Sequence, residues 1–305
     1  MRNFIHILRV LLGLVFIYSG MAKLYPAEPF ELFIFDRGIF DFTLSVILVR
    51  LIIGTEIALG VVLLINIFTK IFIRLTVLLL IIFTGFLIYM AIFKTETENC
   101  NCFGEYFALT TVESIIKNLI LIGLSIFIIL KNKEFTFRFR RIVLPVACAL
   151  SFTIPFILNP PDPFVVNLPE YPSGYAFDEQ AIGDLTNNES TVRIDKEKYI
   201  ICFFSLKCKF CKLAAQKLAI ISRGNDLENS IYYVFIGEEK DLQQFWKESK
   251  SPVIPYRIME PKQFFSLAGM SLPSILFIRK GIVEKTVGYR NLLDTEVVNF
   301  ISENN

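Results

Sequence analysis

The sequence predicts a membrane α-helical bundle followed by an α/β domain, and three observations carry that expectation. Apolar segments long enough to cross a bilayer fill the first half, a proline-rich stretch (NPPDPFVVNLPEYPSG) ends them, and buried-strand patterns alternating with helical ones follow. Composition agrees. The 54% hydrophobic residues and mean hydropathy of +0.55 exceed what a soluble globular chain carries, while 20% charged residues are too many for a wholly lipid-embedded one. A chain of 305 residues has room for one membrane unit and one folded unit. Lys plus Arg (31) nearly balance Asp plus Glu (29), leaving +2 with no long basic block, which removes the electrostatic footprint of nucleic-acid binding. A single His argues against His-based metal centres and Cys/His catalysis, so the six Cys are the main chemical resource.

Crossing about 30 Å of hydrocarbon takes roughly 17 to 25 apolar residues. Phe4–Leu24, Phe42–Ile67, Ile71–Phe93, Val112–Leu130 and Ile142–Leu158 meet that length. The first is too long for a signal-peptide core and lacks a small-residue cleavage site after it, so it is expected to remain as an anchor. Orientation follows from the bias of Lys and Arg towards the cytoplasm. The loop at 25–41 has Arg37 against four acids, and the next has Lys70 and Arg74 with none. The loop at 94–113 has Lys94 against Glu96, Glu98, Glu105 and Glu113, and the segment 131–141 has five basic residues against Glu134. The alternation places the N-terminus, with Arg2 and Arg9, in the cytoplasm and everything after the fifth span outside. In a bacterium this means the inner membrane and the periplasm, where disulfides persist.

Ionisable groups within spans are costly and tend to face a partner or a cavity. Glu56 is the deepest, about halfway along the second span, at a depth an Arg9 side chain is expected to reach. Arg50, Lys23, Lys117 and Asn118 lie nearer the outer face. Two readings stay open: ion pairs and snorkelling side chains that fix the bundle, or a polar cofactor head held by Glu56, Arg50 and Arg9. Cys148, within the fifth span, reads as an apolar packing residue.

Beyond the proline-rich linker the period changes. Tyr199–Ser205 (YIICFFS) is a short apolar run that fits a strand covered on both faces, followed by LKCKFCK and a helical pattern, LAAQKLAII. IYYVFIG from Ile231 is a second buried strand, then come a helix through Trp246, a short strand near Arg257 and a helix from Pro261. SILFI from Ser274, a turn at Lys280 and Gly281, and EKTVG read as a hairpin before a last helix around Val297.

The CxxC between strand and helix is the strongest local signal. At a helix N-terminus the first cysteine meets unpaired N–H groups and the positive dipole end, which favour its thiolate, so Cys208 reads as the nucleophile. Cys211, one turn on, can attack a mixed disulfide and release the partner. Lys207, Lys209 and Lys212 are expected to lower the Cys208 pKa further. Half of a four-cysteine zinc site completed by Cys100 and Cys102, and a structural disulfide, are the competing readings.

On these residues the region from Asp195 to Glu303 resembles the thioredoxin-like family: YIICFFS, CKFC at the first turn of the next helix, and SLPS, with Pro273 at the position of the family's cis-proline. Lys207 stands where that family usually has Trp, and Cys202 where it has a buried carboxylate. Cys202 itself reads as core. The membrane half, through RVLLGLVFIYSGMAKL, RLIIGTEIALGVVLL and ENCNCFG, resembles the DoxX and MauE group over roughly Phe4–Leu130. That resemblance implies a four-helix bundle similar to DsbB and vitamin K epoxide reductase, with Cys100 and Cys102 as a redox pair and a quinone in the bundle by analogy; the thioredoxin-like domain needs no cofactor. It also connects the chain to methylamine utilisation and the maturation of disulfide-rich enzymes. Cysteines two apart can reach a bridging Cα separation of about 4.4 to 6.8 Å only with a tight backbone, so a CNC bridge would be strained and oxidising. Free thiols or a Cu(I) clip are the alternatives.

The expected organisation is a DoxX/MauE-like four-helix domain at 1–141, a fifth span at 142–158, a linker at 159–175 and a periplasmic thioredoxin-like domain at 176–305. The expected activity is thiol–disulfide exchange with periplasmic client dithiols or disulfides, relayed between CKFC and CNC, with Cys208, Cys211, Cys100, Cys102 and Pro273 at its centre and no metal. The reverse direction of electron flow, a Cu- or Zn-handling assembly protein and a non-catalytic scaffold are the other readings.

Overall fold

The computed structural model describes residues 2–93, 110–131, 140–161, 173–187, 190–194, 196–223, 225 and 227–302. It divides into two compact units, whose boundary falls at Pro161/Asp162.

The first unit is helical: α1 (Arg2–Leu24), α2 (Glu28–Phe35), α3 (Phe42–Ile65), α4 (Thr69–Phe93), α5 (Thr111–Lys131) and α6 (Arg140–Leu158). All but α2 are long and apolar enough to cross a membrane. α3 is the central helix, with 61% of its apolar window buried against 11% to 39% for the others. Small residues let backbones meet there, as packing in lipid requires. A Cβ on Gly60 would stand 2.6 Å from the Gly13 carbonyl oxygen, and one on Gly54 would stand 2.8 Å from the Phe152 ring of α6. On the other side, Asn118 of α5 donates to Thr84 Oγ1 of α4 at 3.2 Å.

Two local features depart from expectation. The loop at 25–41 folds in part as α2, which opens with Glu28, Pro29 and Glu31 in its first turn, residue types suited to a helix N-terminus. Its Phe30 and Phe33 pack with Leu24, Val49, Ile53 and Ile57. The second span ends at Ile65 rather than Ile67, because Asn66 adopts a left-handed conformation (φ 62°) and its side chain accepts from Thr69 Oγ1 at 2.9 Å.

The second unit holds β1 (Tyr175–Ala176), α7 (Glu179–Ile182), β2 (Leu185–Asn187), β3 (Ser190–Val192), β4 (Lys198–Ser205), α8 (Lys209–Arg223), β5 (Ile231–Ile236), α9 (Leu242–Ser249), β6 (Tyr256–Ile258), α10 (Pro261–Ala268), β7 (Ser274–Arg279), β8 (Ile282–Val287) and α11 (Asp294–Ser302). The strands form one sheet in the order β1-β8-β7-β4-β5-β6-β2-β3. β4, β5 and β6 run parallel, and β7 returns antiparallel on the other side of β4. β4 is thus central, which is why its sequence is a continuous apolar run. Alternation then sorts its side chains. Tyr199, Ile201 and Phe203 enter a core with Ile182 and Phe264, while Phe204 meets Phe245 of α9 at 6.1 Å between ring centroids. Cys202 shares the Phe204 side of the strand and is fully buried, in line with a core role. A parallel βαβ core closed by an antiparallel hairpin is the thioredoxin-like arrangement. The strands β1, β2 and β3 extend it at both edges and lie before the segment that carries the resemblance.

Candidate functional site

Cys208 sits where β4 has ended and α8 begins. Its N–H donates to the Ser205 carbonyl at 3.1 Å, and its own carbonyl accepts from Lys212 N–H at 3.2 Å, so it is held as the residue flanking the first helical turn. There its Sγ accepts from the backbone N–H of Cys211 at 3.3 Å. Cys211, inside that first turn, points into the protein: it is 0% exposed, and its sulfur accepts from the Ser205 N–H at 3.4 Å. Both stand as thiols, one half-buried and one hidden.

This asymmetry separates their acidities. The hydrogen bond from the Cys211 thiol is the largest influence on Cys208; it outweighs partial burial and, with the N–H groups of Cys211 and Phe210 and the charge of Lys212, lowers the pKa to about 6. Burial, reinforced by the adjacent Cys208, pushes Cys211 far up. At neutral pH the pair therefore offers one thiolate and one thiol, the combination that exchange through a mixed disulfide requires. Burial likewise pushes Cys202 up, so it stays a thiol. Of the three lysines expected to help, Lys212 acts on the sulfur, whereas Lys207 turns to Asp241 at 3.2 Å.

Around the pair, Phe210 is partly exposed and packs on Tyr289 at 5.8 Å between centroids. The Leu272–Pro273 peptide bond is cis, and Met270 in the loop before it is 85% exposed. Cys100 and Cys102 lie outside the described residues, as does most of the linker. Among the described residues, no three or more His, Cys, Asp or Glu converge as a metal would need.

The polar groups of the helical unit correct one expectation. Glu56 pairs with Lys23 at 2.7 Å, not with Arg9. The register explains it: Gly13 lies level with Gly60 and Gly20 with Ile53 and Ile57, so in this antiparallel pair Arg9 falls beside Leu63 and Leu64, whose carbonyls accept from its guanidinium. Lys23 and Glu56 meet towards the other end. Arg50 is likewise committed to protein partners, Glu31 of α2 and the side chain and carbonyl of Asn159. Of the three groups expected around a cofactor head, Glu56 keeps partial access, at 21% side-chain exposure, with Lys117 close enough to act on it. The sequence pass placed Lys23 and Lys117 by depth alone; their meeting with Glu56 needs the packing of three helices.

The family described as methylamine utilisation protein MauE matches the chain over residues 1–131. The match ends with α5, so α6 lies beyond the matched segment, although its Phe152 packs closely on Gly54 and Asn159, just after it, accepts from Arg50. Over both units the chain is 28% identical to Protein TlpB of Flavobacterium psychrophilum, covering 90% of this chain and 88% of that one. Solved structures resemble the C-terminal part of the chain. One is the thioredoxin domain of a thiol-disulfide oxidoreductase from Bacteroides vulgatus, at 13% identity, 43% of this chain, 96% of that chain and a TM-score of 0.34. Another is StoA from Bacillus subtilis, at 15% identity, 44% of this chain, all of that chain and a TM-score of 0.31.

Proposed function

We propose that the chain is a membrane-bound thiol–disulfide oxidoreductase in which the CKFC pair accepts electrons from client dithiols and hands them to the CNC pair of the MauE domain. The observation that carries this reading is the half-buried Cys208 at the start of α8, acidic enough to be a thiolate at neutral pH, above a fully buried Cys211. The similarity to Protein TlpB across both units supports keeping the two parts in one activity.

The cycle begins with the Cys208–Cys211 disulfide. A client thiolate attacks Cys208 and expels the Cys211 thiolate, which takes a proton; the client's second thiol then displaces Cys208, leaving a client disulfide and a reduced pair. Two electrons have moved. Cys208 next attacks a Cys100–Cys102 disulfide and Cys211 resolves the mixed bridge, which restores CKFC as a disulfide and leaves CNC as a dithiol. A thiolate stabilised at Cys208 favours the reduced state of its pair and makes its disulfide a better acceptor from the client; onward transfer then requires a CNC pair more oxidising still. In this reading both pairs face the periplasmic side of the inner membrane, with the N-terminus in the cytoplasm, and the alternating loop charges support it. The exposed ring of Phe210, two residues after Cys208, gives a client chain an apolar surface beside the sulfur.

A lipid quinone is the acceptor we propose for the electrons leaving CNC. The fit rests on Glu56, Lys23 and Lys117, an accessible carboxylate beside two ammonium donors in the bundle, whereas Arg9 and Arg50 are taken up by protein groups. A bound quinone would supply two-electron, two-proton acceptor chemistry, and these residues would hydrogen-bond its head.

The relay is tested by trapping. Cys211→Ser combined with Cys100→Ser or Cys102→Ser, under mild oxidation, is expected to give an internal disulfide from Cys208 to the remaining CNC cysteine, seen by mass spectrometry. Its absence in both combinations would refute the relay, and a CNC pair more reducing than CKFC would reverse its direction.

A further inference from the structure

The lysine whose charge reaches Cys208 is itself held in place. Lys212 Nζ lies 2.5 Å from Glu248 Oε2 on α9, and Glu248 Oε1 accepts from Gln244 Nε2 at 2.7 Å. The carboxylate is gripped from two sides, and Lys212 and then Gln244 hold it below its ordinary range. The near end of Lys212 is fixed by α8, since it follows Cys211 directly and its N–H bonds the Cys208 carbonyl. Its far end is fixed by Glu248.

The other charges near this group are accounted for. On the approach to α8, Lys207 pairs with Asp241 at 3.2 Å, and Lys209 is exposed in the first turn. On α9, Lys247 acts on Glu248. The loop from Met270 to Pro273 has no ionisable side chain, and after β8 Tyr289 packs on Phe210 and is followed by an exposed Arg290.

We propose that Glu248 is a positioning residue for the Cys208 nucleophile: through Lys212 it sets how much positive charge reaches the sulfur. This rests on the thiol–disulfide reading above. An ammonium near a thiolate stabilises it, and a carboxylate in contact with that ammonium offsets much of its field at the sulfur. Glu248 therefore holds Cys208 less acidic than the helix start and the lysine alone would make it, and moderates the oxidising strength of the pair.

The experiment measures the pH dependence of iodoacetamide labelling on the reduced, detergent-solubilised full chain, read on the Cys208 peptide by mass spectrometry. Glu248→Gln keeps an acceptor for Lys212 but removes the charge, and is expected to move the labelling midpoint down by about 0.2 to 0.7 pH unit, the scale of a partly exposed ion pair. Lys212→Met should move it up, and the double variant, with both charges gone, should fall between the two single variants. A Glu248→Gln midpoint that is unmoved or higher, or a Lys212→Met midpoint that is unmoved or lower, would overturn the inference. A parent chain whose Cys208 titrates like an ordinary thiol near about 8.5 would overturn the proposed function instead.

Discussion

Cys208 and Cys211 differ by three positions in sequence and by a hydrogen ion in chemistry. The acid member is depressed to about 6 while its neighbour is pushed far up, so between those limits the reduced pair carries one proton. A depressed thiol stabilises the reduced form fully above its ordinary pKa, and that contribution fades as pH falls through the folded value. The reduction potential of CKFC should therefore change by roughly 30 mV per pH unit above about pH 6 and by roughly twice that below it. Redox titration of a Cys100→Ser/Cys102→Ser chain checks this, and a single slope from pH 5 to 8 would contradict it. Cys211→Ala removes the largest stabilising bond and should move the break in Cys208 labelling upwards. Sequence spacing alone singled out Cys208 as the proposed nucleophile, and the structure leaves that sulfur half-buried beside a fully buried Cys211. The ranking of the lysines was beyond spacing, because Asp241 and Glu248 come from segments 30 or more positions away and reach α8 only when the chain folds.

Among elements, α3 organises the helical unit and β4 the other. The continuous apolar runs made α3, β4 and β5 legible, since burial on all sides leaves little choice of residue. Elements that draw their stability from neighbours were not legible: α2 has 8 residues, and β2 and β3 have 3 each, too short for a period to show. α2 is tied down by the Glu31–Arg50 pair, both side chains at 2% exposure, with Asn159 after α6 completing it. Removing one partner of such a pair leaves a buried charge and costs about 3 to 5 kcal/mol. Glu31→Gln should thus lower the thermal unfolding temperature in detergent markedly, and adding Arg50→Met should recover part of the loss. Gly60→Leu attacks the same unit through space rather than charge; with the Gly13 carbonyl 2.6 Å from a new Cβ, α1 and α3 must separate, and the folded yield should collapse.

At the scale of the whole molecule, the proposed relay would replace a bimolecular encounter of the two cysteine pairs by an internal one, with an effective concentration of roughly millimolar. A protease site placed within the linker at 159–175 should make electron transfer between the pairs depend on dilution after cleavage, while the uncut chain should show no such dependence; stopped-flow thiol oxidation at two protein concentrations separates the two. Impermeant maleimide applied to intact cells should reach Cys208, and labelling that requires disruption of the inner membrane would reverse the topology.

The depth of Cys211 has one more consequence. A peroxide arriving at the site meets the outer sulfur alone and converts it to a sulfenic acid. The sheltered thiol one turn on then displaces water and closes the disulfide, so an oxidative accident yields the enzyme's own working state before further oxygen atoms can be added.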